Sequence, residues 1–245
     1  MHSKEEWQHH RPLASFGRRK GRSLRTTRQT LVDTLLPQLE ISSVVMESWS
    51  GGGEKKMCSS LFPHYSTTPS LHHPLWLEIG FGGGEHLAHQ AALYPHVGII
   101  GCEPYINGIG DLLKKIDAQK LSNIRIFTDD ARLLIEELPD SCLEKVFISY
   151  PDPWPKTRHH KRRLVSKETL DMLARVMKKG AELRLATDHA DYATWMLEQL
   201  LTHPNFTWTA QCASDWKTPP SDWIPTRYEQ KRLAGTPTYL NFTRS

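Results

Sequence analysis

The sequence has no pair of closely spaced cysteines. Cys58, Cys102, Cys142 and Cys212 lie far apart and form no CxxC. That excludes a disulfide framework and a thiolate zinc site, and reads as reduced thiols in a cytoplasmic protein. No apolar run approaches the roughly 20 residues of a membrane span. The first residues, MHSKEEWQHHRPLASFGRRKGRS, lack the apolar core of a secretory signal. The pairs His9-His10, His72-His73 and His159-His160 lack a HExxH-type spacing, so no metal is expected. There is no internal repeat. Acidic residues are missing from two stretches. Arg11–Arg28 holds seven Lys/Arg and no acid, and Lys156–Arg163 holds five more and no acid. Subtracting those twelve from the formal net charge of +4 leaves −8 for the remainder. Two cationic strips on an acidic body imply a polyanionic partner.

What is present divides the chain unevenly. Residues 1–25 form a basic arm expected to be flexible. Thr26–Leu36 has a helical spacing of apolar residues and is expected to end at Pro37. Residues 41–74, rich in Gly, Ser, Thr and Pro, read as irregular linker, so 26–74 is a helix plus linker. From 75 to 245 strands and helices alternate. Expected strands are Leu75–Ile79, Val97–Cys102, Ile124–Phe127, Lys145–Tyr150 and Glu182–Ala186, with late strands at Phe206–Ala210 and Thr238–Phe242. Helices are expected at Glu85–Leu93, Ile106–Gln119, Arg132–Leu138, Lys167–Met177 and Tyr192–Leu201. This order predicts an α/β, Rossmann-like domain: a mostly parallel sheet with helices on both faces and a ligand site beyond the carboxyl ends of the strands.

Candidate chemistry falls at those ends. Gly80, Gly82 and Gly84 follow the first strand and open a helix, a turn that brings a ligand close to the backbone. Glu103 ends the second strand, where an acid can accept both ribose hydroxyls. Asp129 and Asp130 follow the third; one can cap the next helix while the other holds an adenine amino group. Glu78 and Glu85 flank the glycine turn, which itself has no base. A pyrophosphate would be repelled there and a cationic sulfonium tolerated, so S-adenosyl-L-methionine is favoured over a dinucleotide.

The fourth strand runs into YPDPWPKTRHHKRR, Tyr150–Arg163. Pro151 and Pro153 preorganise the corner that carries Asp152. Trp154 offers a face for a stacked base, and Asp152 offers acceptors for that base's N–H edge. Lys156, Arg158, Lys161, Arg162 and Arg163, joined by His159 and His160, would hold phosphates.

These residues carry a resemblance. SFGRRKGR (Ser15–Arg22), EIGFGGGE (Glu78–Glu85), GCEP (Gly101–Pro104), PDPWPKTRHHKRR (Pro151–Arg163), ATDH (Ala186–His189) and TRYEQK (Thr226–Lys231) occur in the order seen in the bacterial tRNA (guanine-N7-)-methyltransferase family, which the chain resembles. Residues 41–74 lie outside the resemblance. It implies a class I S-adenosylmethionine-dependent enzyme methylating N7 of guanine 46 in the tRNA variable loop. It implies cofactor contacts from Glu78, Glu103, Asp130 and Asp152. It implies tRNA or guanine contacts from Lys156, Asp188, Thr226, Arg227, Tyr228 and Glu229, and an RNA-binding strip at Arg158–Arg163. Asp152 would take the central catalytic role, orienting guanine and stabilising the charge that grows on it; whether it acts by orientation or by accepting a proton stays open. Glu229 would accept from guanine N1–H and the exocyclic amine, with Asp188 sharing that task. The arm would order on tRNA, and the target base would leave its stack. The oligomeric state stays open between monomer and homodimer. Rival readings are a methyltransferase for another RNA base, a non-catalytic RNA-binding subunit and a dinucleotide oxidoreductase.

Overall fold

The computed structural model describes residues 19–42, 46, 49, 57, 60–62, 74–231 and 234–245. Seven strands form one sheet in the order β3-β2-β1-β4-β5-β7-β6. They are β1 Leu75–Ile79, β2 Gly98–Cys102, β3 Ile124–Phe127, β4 Leu143–Ser149, β5 Met177–Thr187, β6 Phe206–Trp208 and β7 Thr238–Arg244. The pairs among β3, β2, β1, β4 and β5 are parallel; β7 joins β5 and β6 antiparallel. The order reverses beside β1, between β2 and β4. That is the switch point at which open α/β sheets bind ligands.

The helices whose bounds are described are α1 Thr26–Thr34, α2 Leu36–Leu39, α3 Glu85–Leu93, α4 Ile106–Gln119, α5 Ala131–Glu137, α6 Lys167–Val176, α7 Ala190–Leu201, α8 Ser214–Lys217 and α9 Arg227–Gln230. Leu87, Ala91, Leu112 and Ile116 of α3 and α4 cover one face of the sheet, joined by Leu36 and Leu39. Leu134, Leu170, Leu173, Tyr192 and Met196 cover the other. Covered on both faces, the central strands are nearly continuous apolar runs, as parallel sheets require. β1 is buried at all five positions, and Glu78 is its one charge.

Three expectations need correction. Pro37 does not stop the helix; the break falls at Leu35, and Pro37 sits in the first turn of α2, where its missing N–H costs nothing. Among the described residues of 41–74, Ile41, Met46, Trp49, Met57, Leu61 and Phe62 are buried in the core. They are packing residues, not surface linker, while the Gly51–Gly53 run lies outside the described residues. The end of the basic arm is docked, not free. Ile106 N–H donates to the Arg19 carbonyl, Asn107 donates to that of Arg22 at 2.8 Å, and Arg19 pairs with Asp129. Residues 1–18 lie outside the described residues.

Candidate functional site

A cleft of about 1210 Å³ opens over the carboxyl ends of β1, β2, β3 and β4. Its floor is the glycine turn. Gly80, Gly82 and Gly84 have φ of 75°, 54° and 70°, a left-handed backbone open to glycine at no steric cost. A Cβ added at Gly80 or Gly82 would meet nothing within 4 Å, so the side left bare faces open space. The turn is held from beneath by Gly108 of α4, where a Cβ would lie 2.2 Å from the Gly82 carbonyl. Gly108 escapes a reading of the sequence because an isolated mid-helix glycine carries no motif.

The strand-end acids lie along this cleft. Glu103 takes the N–H of Gly82 at 2.8 Å and of Tyr105 at 3.0 Å. Burial pushes its carboxyl above the usual range, against the lowering by those two N–H groups. Glu78 is buried and meets His86 Nδ1 at 2.8 Å. Asp130 is the cap of α5: it accepts from Arg132 N at 3.0 Å and pairs with that side chain. Burial would raise its carboxyl, but Arg132 outweighs this and holds it below the usual range. The two acids therefore divide their work: Asp130 caps, and the more exposed Asp129 meets Arg19. Glu85, counted from sequence as a repelling charge, is engaged by Lys115 at 3.4 Å and Arg227 at 3.6 Å. The acid flank facing the turn thus comes down to Glu78.

Asp152 is exposed at the rim of the same cleft. Its corner is framed by two left-handed residues, Tyr150 at φ 51° and Trp154 at φ 43°. Tyr150 N–H continues the ladder to the Ala186 carbonyl at 2.7 Å, so the corner starts where the sheet stops. Arg163 closes it from behind, donating to the Pro153 carbonyl at 2.9 Å. This corrects the strip. Arg163 is 3% exposed, pairs with Asp191 and lies over the Tyr192 and Trp195 rings, so it cannot reach a phosphate. Lys156, Arg158 and Lys161 are exposed around a 3-10 turn at Thr157–Arg162, and Arg162 lies over Trp154 at 4.9 Å. His160 also leaves the strip, while His159 stays partly exposed between Arg158 and Lys161. Desolvation and the surrounding cations, Arg162 first among them, hold His159 below its usual range; His160 packs on Trp195.

The TRYEQK segment folds over the cleft as α9. Thr226 caps it, accepting from Glu229 N at 3.2 Å. Arg227 and Tyr228 line the cleft, and Tyr228 packs on Tyr150 at 5.2 Å. Glu229 turns inward: it accepts from Trp223 Nε1 at 3.0 Å and Tyr239 OH at 2.5 Å. Glu229 is nearly buried and does not line the cleft, so the expected direct reading of guanine by Glu229 does not fit. Asp188 is buried too, accepting from Ala234 N at 3.2 Å and from Tyr228 OH at 3.5 Å. Both acids shape the wall instead. Sequence reasoning missed Trp223 and Tyr239, whose partners are set by folding alone. Among the described residues no group of three or more His, Cys, Asp or Glu could hold a metal.

The chain matches a family model described as "Putative methyltransferase" over residues 72–239. It is 47% identical over 94% of its length, and 87% of the other's, to a Rhodospirillum rubrum protein named tRNA (guanine-N(7)-)-methyltransferase. It is 44% identical to the Caulobacter vibrioides protein of that name, over 97% of both chains. Among solved structures it is similar in fold to the 16S rRNA methyltransferase KamB, with a TM-score of 0.51 and 16% identity over 76% of this chain and 93% of that one.

Proposed function

The chain belongs to the tRNA (guanine-N(7)-)-methyltransferase family, and on that premise we propose that it transfers a methyl group from S-adenosyl-L-methionine to N7 of guanine 46 in the tRNA variable loop. The observation that carries this reading is one shared cleft: the glycine turn, Glu78, Glu103 and Asp130 line the same space as Asp152 and Trp154. The residues fit the cofactor. Bare glycine backbone faces the cleft, and the acids suit a molecule with an ammonium, a sulfonium and ribose hydroxyls and no phosphate. Glu78, Gly80, Gly82 and Glu103 would hold it, with Asp130 through the lone pairs Arg132 leaves open, whereas Gly84 is turned against Leu112 of α4 and does not line the cleft. When bound, it supplies an electrophilic methyl group.

Guanine N7 attacks with an in-plane lone pair and carries no proton, so the chain needs no strong general base. Its task is to align two partners. Trp154 stacks the base. Asp152, fixed between prolines, orients the guanine and stabilises the positive charge that grows on the ring. Lys156, Arg158, Lys161 and Arg162 hold the RNA backbone, and the docked end of the arm extends that cationic surface to the other rim. Glu229 and Asp188 act through the wall they brace.

The test incubates unmodified tRNA transcripts with methyl-labelled S-adenosylmethionine, then applies reduction and aniline cleavage. A labelled cut in the variable loop is expected. Label without that cut keeps a methyltransferase and moves its target. No label despite cofactor binding overturns the proposed acceptor.

A further inference from the structure

Glu78 is the fourth of the five residues of β1, a strand buried at every position, and an acid there needs a partner. That partner is His86, second residue of α3, whose Nδ1 lies 2.8 Å from Glu78 Oε2. A carboxylate only accepts, so Nδ1 carries the proton. The ring has little freedom to turn. Phe147 meets it edge-on at 4.8 Å, and Trp223 lies at 4.6 Å on another side. Its other nitrogen, Nε2, is buried without a hydrogen-bond partner. An unpaired buried nitrogen is a cost to stability that a phenylalanine there would avoid. The histidine's return is one oriented hydrogen bond to one carboxylate.

The sheet order says what that carboxylate faces. Strands β3, β2 and β1 lie side by side, so Asp130, Glu103 and Glu78 form a row along the cleft. If the adenine lies by β3 and the ribose by β2, the amino-acid end of the cofactor lies by β1. We propose that His86 is a positioning residue: its Nδ1–H holds the Glu78 carboxylate toward the ammonium group of the cofactor's methionine moiety. This rests on the cofactor reading above.

The test uses the full chain and two probes measured by calorimetry or competition. S-adenosylhomocysteine keeps the amino-acid end; 5′-methylthioadenosine keeps the adenosine and sulfur but lacks it. His86→Phe should weaken S-adenosylhomocysteine about tenfold and leave methylthioadenosine within about twofold, the loss of a charge-assisted hydrogen bond confined to one end of the ligand. His86→Asn places an amide N–H where Nδ1–H stood and should restore affinity. His86→Gln places it one bond further out and should not. A purely structural histidine would weaken both probes together. Equal loss for both probes, no loss for either, or an Asn variant as weak as the Gln variant overturns the proposal. If His86→Phe does not fold, the Asn–Gln contrast decides. Failure of the unaltered chain to bind S-adenosylhomocysteine would instead sink the cofactor reading.

Discussion

Asp152 shows how a single carboxylate can be rigid and still exposed. Its backbone is set by Pro151, Pro153 and two left-handed neighbours, and its side chain stays free for a ligand. Asp152→Asn preserves shape and removes charge. Single-turnover methyl transfer at saturating cofactor and tRNA should fall about 100-fold, the usual loss of a preorganised charge at the reacting group. Turnover within a few-fold of the unaltered chain would remove the charge role. Arg163 and Arg158 separate structure from binding within one basic run. Arg163 is enclosed by Tyr192, Trp195 and Asp191, so Arg163→Ala should cost on the order of 2 kcal/mol of stability. The salt slope of tRNA binding should not move. Arg158 is exposed, and Arg158→Ala should leave the melting temperature alone and reduce that slope by about one. The reverse pattern would return Arg163 to the strip.

At the scale of elements, α9 is a four-residue turn held by its ends. Thr226 caps it, and Glu229 ties it to Trp223 and Tyr239. Both partners donate to Glu229, Trp223 Nε1 as a donor only and Tyr239 as a hydroxyl that can also accept. Glu229→Leu removes both oxygens and leaves the indole N–H buried without an acceptor. It should destabilise the fold by about 1–3 kcal/mol and raise the KM for tRNA more than it lowers kcat. A kcat loss at unchanged KM and melting temperature would mean that Glu229 meets the reacting base after all. The strands and the longer helices were legible in advance, because β1 and β3 are short apolar runs and α3 and α4 keep helical spacing. The glycine turn and Asp152 were legible because strand ends must carry them. The inward turn of Arg163, Asp188 and Glu229 was not. Each sits in a loop, a 3-10 turn or a one-turn helix, where no period tells which way a side chain points. Nor was the packing role of Met46, Trp49, Met57 and Phe62, which fall in short apolar pieces broken up by Ser, Gly and charged residues, with no regular alternation to reveal them.

Across the whole molecule, a partly buried charge network links the antiparallel edge of the sheet to the glycine-turn side. Arg184 of β5 pairs with Glu182 and with Asp222, whose carbonyl accepts from Gln90 of α3 at 2.8 Å. Lys145 of β4 also reaches Glu182, at 3.0 Å. The loop holding Asp222 leads directly to Trp223 and α9, so this network fixes the wall opposite the cofactor turn. Burial alone would push Glu182 and Asp222 upward, but Arg184 and Lys145 outweigh it and hold both below the usual carboxylate range. Asp130 is lowered in the same way by Arg132. A carboxyl depressed in the folded state contributes stability that is complete above its unfolded value and is lost as pH falls through the folded value. Glu103, raised by burial, works in the opposite direction, but Glu168, Asp171, Asp191 and Asp215 are lowered like the three acids above, so the depressed carboxyls outnumber it. The melting temperature should therefore stay level from about pH 8 to about pH 5 and fall below about pH 4, where ordinary carboxylates take up protons. Arg184→Met removes the cation while leaving both acids in place. It should lower the melting temperature at pH 7 more than at pH 4, since protonated acids no longer need the arginine. An equal drop at both values would show that Arg184 acts by packing alone, with the wall held by its apolar contacts and not by charge.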